Sequence, residues 1–187
     1  MTNLMNVEYK QTGKSSNTNE FGMREMQSRA FEARDSQYLL LKAPPASGKS
    51  RALMFLALDK LINQGLKKAI VAVPEMSIGG SFKDTDLSSF GFFADWHVDP
   101  RFNLCFQGAE GADSRKTQVF VDFMRDPVAK TLICTHSTLR FAFQKLQSND
   151  FDNCLLAIDE FHHTSADAEN RLGNLIDSVM NGSNAHI

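Results

Sequence analysis

Two short stretches carry residues able to handle phosphate. The first is "APPASGKS", residues 43–50, where Gly48, Lys49 and Ser50 follow Ala43, Pro44, Pro45, Ala46 and Ser47. Backbone N–H groups of such a loop can point at an anion, the helix that follows adds its positive end, and the Lys49 ammonium can reach outer phosphate oxygens. The Ser50 hydroxyl can serve a divalent cation. The second stretch is "CLLAIDE", an apolar run closed by Asp159 and Glu160. One carboxylate can hold Mg²⁺ while the other orients or activates water, because a metal-neutralised carboxylate is a poor base. The competing reading of residues 43–50 is a proline-stiffened turn into a helix.

These residues work only if the chain launches them from rigid elements. "YLLLKA" (38–43) reads as a short buried strand, and "SGKSRALMFLALDKLINQG" has Leu53, Leu56, Ala57 and Leu61 at helical spacing with Gly65 as a stop. "KAIVAVP", "TLICT" (131–135) and "CLLAIDE" (154–160) read as further strands, apolar along their whole length. "REMQSRAFEAR", "STLRFAFQKLQ" and "SADAENRLGNLIDSVMNG" read as helices, and "AHI" at the end could begin another strand. Strands of that kind alternating with helices predict an α/β domain with a mainly parallel sheet covered on both faces. Asp159 and Glu160 then lie at the carboxyl edge, where such sheets put ligands. A second Gly-Lys-Ser, at residues 13–15, has no strand before it and no helical pattern after it. It lies in a polar stretch, 1–20, read as a flexible arm.

The 187 residues suffice for one domain with a real core. Twenty basic and 22 acidic residues favour neither nucleic acid nor membrane by net charge, and a local basic groove stays open. Cys105, Cys134 and Cys154 lie far apart without a Cys-x-x-Cys pair, which predicts buried reduced thiols. The N-terminus lacks a signal-peptide core and no run reaches membrane-spanning length, so the chain reads as cytoplasmic. Asp-Glu-Phe-His-His is no metal-ligand spacing, and His163 reads as a solvated or interface residue. The Phe-rich stretch 76–128 reads mainly as core filler, with a strand near 102–106.

Together the two motifs resemble the first RecA-like lobe of the superfamily-two helicases and translocases, the DEAD/DExH-box group. "APPASGKS" is similar to that family's phosphate loop, with Ala46 where it has glycine, and Asp159-Glu160-Phe161-His162 matches its DExH box. "REMQ", with Arg24 and with Gln27 placed 22 residues before Lys49, resembles the adenine-reading Q motif. "VAVPEMSIGGSF" resembles motif Ia, with Pro74 in place and the usual Thr-Arg absent. "CTHSTLR" is similar to the segment that touches the nucleic-acid backbone through Thr135, Ser137 and Thr138. The resemblance covers residues 22–187, so the expected layout is an arm over 1–20 and a lobe over 21–187 that stops before motif III.

The resemblance implies a P-loop NTPase fold, ATP and Mg²⁺ as cofactors, nucleic acid as partner, and a second RecA-like lobe beyond this one. It gives Lys49 the phosphate charge, Ser50 and Asp159 the Mg²⁺, Glu160 the water, and His162 the link to the rest of the motor. Two functions follow: the ATP-binding lobe of a nucleic-acid-dependent ATPase, or a nucleotide-gated interaction module that binds ATP without useful turnover. A missing arginine finger, worth about 10³ to 10⁵ in rate, predicts that this piece alone turns over ATP barely above background.

Overall fold

Aliphatic runs with no polar alternation suit strands buried on both faces, and three of them form the sheet. They are β1 (Lys68–Val73), β2 (Thr131–Thr135) and β3 (Cys154–Ile158). A computed structural model describes residues 18–105, 113–160 and 171–187; the residues 13–15 copy of Gly-Lys-Ser, His162 and His163 lie outside them. The strand order is β2-β1-β3, with both pairings parallel. Val73 pairs with Thr135 and Ala72 with Ile158, so all three strands end at one edge.

Helices cover both faces, as expected. On one side α1 (Glu25–Glu32), α2 (Lys49–Ile62) and the loops around Phe82, Leu87, Phe92 and Trp96 pack on Ala69, Val71 and Val73. A one-turn helix, α3 (Met76–Gly79), leaves the end of β1. On the other side α4 (Asp113–Arg125), α5 (His136–Phe143) and α6 (Arg171–Gly182) pack on Ile70 and Ala72. The aromatic residues are mostly filler: Phe82, Phe120, Phe123 and Phe151 are fully buried, and the Trp96 indole donates to the Phe82 carbonyl at 3.0 Å. Helix α4 falls within the Phe-rich stretch 76–128, whose pattern reads mainly as core filler. No helix among the described residues is long and apolar enough to cross a membrane. The three cysteines are free and buried, and burial pushes Cys105 and Cys154 up to about 11, which leaves them poor nucleophiles.

Two strand expectations need correction. Residues 38–43 form no strand, and Leu40 is 82% exposed. The start of the run is nevertheless paired: Gln37 and Leu39 exchange two backbone hydrogen bonds of 2.8 Å with Ile187. "AHI" does begin to pair, through a parallel bridge between His186 and Leu155, so it joins residues 37–39 to β3. Near 102–106, among the described residues, the pairing is a single bridge, Asn103 to Ile133, after a 3₁₀ turn over Pro100–Phe102.

A buried lysine reinforces that seam. Lys60, on the last turn of α2 and 3% exposed, donates to the carbonyls of Arg34 (2.7 Å) and Ser36 (3.1 Å) and to His186 Nδ1 (2.8 Å). Burial lowers its pKa, while Asp59 and Asp35 pull it back up.

Candidate nucleotide site

Residues 44–47 make a tight turn closed by the Ser47 N–H on the Pro44 carbonyl at 3.4 Å. Pro45 presets the first central position, and Ala46 at φ 58° supplies the positive φ that a type II turn needs at the second. The alanine in the family's glycine position therefore does sit in left-handed backbone. Gly48 follows at φ 92° as the N-cap of α2, with no side chain capping the helix and no acidic residue in its first turn. The first turn of α2 thus brings no acidic side chain of its own to the helix's positive end. The Ser47 hydroxyl is buried in the same turn with no hydrogen-bond partner among the described residues. An uncommitted donor of that kind beside bare helix N–H groups fits a phosphate group.

Gln27 braces the loop from behind. It is 2% exposed; its amide donates to the Gly48 carbonyl at 3.1 Å and accepts from the Arg24 N–H at 2.9 Å. The left-handed φ of residue 48 favours glycine, and a Cβ there would also meet that amide nitrogen at 2.5 Å and displace the brace. Arg24 itself is exposed at the start of α1.

Facing the loop, β3 delivers Asp159 and Glu160. The Asp159 N–H continues the ladder to the Ala72 carbonyl at 2.8 Å, and the chain then turns sharply, with Glu160 at φ 54°. That turn carries Glu160 Oε1 to 2.5 Å from Lys49 Nζ. Asp159 is 7% exposed; burial raises its carboxyl pKa above the usual range, Glu160 adds to the rise, and Lys49 offsets part of it. Such a carboxylate gains from a cation beside it.

The fold brings Gln27, the loop over residues 44–50, Asp159 and Glu160 to one place. The strand ends beside them hold the nucleic-acid candidates. Pro74 is half-buried after β1, and Ser137 is exposed on the first turn of α5. Thr135 and Thr138 have other work: the Thr135 side chain accepts the Thr138 N–H at 3.2 Å, capping α5, and the two hydroxyls lie 3.0 Å apart. His162 lies outside the described residues. One residue was missed. His136 places Nε2 at 3.0 Å from the Asp159 carbonyl, a contact that no spacing in the sequence signals.

A parallel sheet with a Gly-Lys-Ser loop before one helix and Asp-Glu at a strand's carboxyl edge defines an α/β domain of the RecA-like P-loop NTPase class. The DEAD/DEAH box helicase family model matches residues 24–185, and the chain belongs to that family. It is 65% identical over 187 residues to a Bacillus subtilis (strain 168) protein named "Putative ATP-dependent helicase YeeB". The match takes in 100% of this chain and 30% of that protein. No solved structure matches.

Proposed function

We propose that this chain is the ATP-binding lobe of a nucleic-acid-dependent ATPase, a helicase or translocase, and that residues 21–187 form that lobe behind an arm over 1–20. The supporting observation is the Lys49–Glu160 pair: the phosphate-binding cation and the water-activating carboxylate meet across the mouth of the loop. Lys49 binds and neutralises the outer phosphates, and the α2 N–H groups with the Ser47 hydroxyl hold the inner ones. Ser50 and Asp159 hold Mg²⁺, which when bound supplies charge neutralisation at the phosphates. Among the described residues no cluster of three or more His, Cys, Asp or Glu gathers for a metal, which suits an ion held largely by phosphate and water. Glu160 takes the proton of the attacking water, and Gln27 with Arg24 reads the base. His162 passes the state of the site to the rest of the motor. Pro74 and Ser137 meet the nucleic-acid backbone, while Thr135 and Thr138 hold the turn that presents it. A second RecA-like lobe completes the ATP site, and the buried free thiols suit a reducing cytoplasm.

A second reading, nucleotide-gated binding without useful turnover, draws on the same pair, since a base tied to Lys49 is not available to water. The measurement that separates them is turnover by the full-length protein with and without single- and double-stranded DNA and RNA. Lys49→Ala should abolish nucleotide binding and turnover, and Lys14→Ala should leave both unchanged. Equal losses from the two would overturn the assignment of the phosphate loop.

A further inference from the structure

The registry of β1 and β3 leaves one acceptor without its regular donor. The Asp159 N–H bonds the Ala72 carbonyl, so the next rung would bring the N–H of residue 74 to the Asp159 carbonyl. Residue 74 is proline and has no N–H. His136 fills the gap from the end of β2, its Nε2 lying 3.0 Å from that oxygen. A carbonyl only accepts, so this nitrogen carries the hydrogen. The bond joins β2 to β3 over the end of β1, which separates them in the sheet.

What it holds is the peptide unit between Asp159 and Glu160. A non-glycine residue at φ 54° persists only where its surroundings fix it, and here the preceding carbonyl is pinned while the Glu160 N–H donates to Asp159 Oδ1 at 3.0 Å. Tilting that peptide would swing the Glu160 carboxylate away from the Lys49 side of the loop. The other end of the link is the first residue of α5, between capping Thr135 and exposed Ser137.

We propose that His136 is a positioning residue: it sets the aim of Glu160 and transmits movement of the α5 N-terminus, where nucleic acid binds, to the water-activating carboxylate. This rests on the function proposed above. Nucleic acid seated on Ser137 shifts the start of α5, and His136 carries the shift to the Asp159–Glu160 peptide.

The test uses the full-length protein and compares His136→Phe, which keeps a ring without a donor, with His136→Gln, whose amide restores one. In His136→Phe, nucleic-acid-stimulated kcat should fall about tenfold or more, since small misplacement of a reacting group is costly. KM for Mg·ATP and affinity for nucleic acid should stay within about twofold, because binding groups are untouched. His136→Gln should recover most of the stimulated rate. His136→Ala carries the same comparison should the Phe variant not fold. A donorless variant with wild-type stimulated kcat overturns the proposal, as does a parallel loss of kcat, ATP binding and nucleic-acid binding that Gln does not repair. Wild-type protein without nucleic-acid-stimulated turnover refutes instead the reading beneath it, and the proposal falls with it.

Discussion

Lys49 and Glu160, 111 positions apart in the chain, meet at 2.5 Å, and each side chain keeps only about a fifth of its surface exposed, 22% and 23%. Under the proposed function, incoming phosphate takes Lys49 from Glu160 and in doing so frees the carboxylate for the attacking water. Glu160→Gln removes both the ion pair and the base. It should bind Mg·ATP at least as tightly as wild type while turnover falls by about 10² or more, the usual size of lost general-base help. Nucleotide titration beside steady-state turnover in the full-length protein measures both, and unchanged turnover would take Glu160 out of this role.

Gln27 is pinned between the Gly48 carbonyl and the Arg24 N–H, so it supports the loop before any base arrives. Its amide still has one N–H and one lone pair to offer. Gln27→Ala should weaken binding of all nucleotides and erase a preference for ATP over GTP. Competition of the two against a fluorescent ATP analogue reads both effects; an unchanged ratio would leave Gln27 a brace alone.

Ala46 occupies left-handed backbone at φ 58°, which costs an alanine about 1 kcal/mol. Ala46→Gly relieves that strain and gives part of it back as chain entropy, for a net gain of about 0.5 kcal/mol. A domain of this size then gains roughly 1–2 °C in Tm. Ala46→Val, β-branched, should lose more than about 1 kcal/mol instead. Thermal unfolding of the three proteins decides, and a Gly variant less stable than wild type would contradict the strain.

The residues of the candidate site were the legible part of this sequence. Gly48, Lys49, Asp159 and Glu160 each answer to a local need, a left-handed cap or a carboxylate at a strand end, and local needs leave local signatures. The pairing state of 38–43 was not legible, because an apolar run becomes a strand only where a partner lies alongside, and the residue that pairs with Gln37 and Leu39 is Ile187, far along the chain. His136 was hidden for a related reason. Its importance arises from the registry of two other strands and from the donor that Pro74 lacks, neither of which is written near residue 136.

Acid should loosen the seam behind the loop. His186 accepts from the Lys60 ammonium, so protonating it would set two cations 2.8 Å apart. Burial, then Lys60, holds the His186 pKa below its usual value, and hydrogen bonding at Ser36 opposes this. The unfolded chain therefore takes up this proton first. The stability is complete above the unfolded pKa of about 6.5 and is lost as pH falls through the lower folded value. Between about pH 7.5 and 5.5, wild type should lose at least roughly 2 °C more Tm than His186→Gln, whose amide still accepts from Lys60. Parallel pH curves for the two proteins would exclude the effect.

The pairing of Gln37 and Leu39 with Ile187 also fixes an order of events. The Gln37 side chain reaches the Ala185 carbonyl 148 positions away, so the segment that launches the phosphate loop is anchored by residues that follow β3 in the chain. Closing so long a loop is entropically slow, whereas the β1–β2 and β2–β3 connections are shorter. On the ribosome the sheet can gather first while residues 37–43 wait for their anchor. Under the proposed function, competence to grip phosphate then waits for residues 185–187, and a lobe synthesised only as far as β3 exposes its loop without yet holding nucleotide.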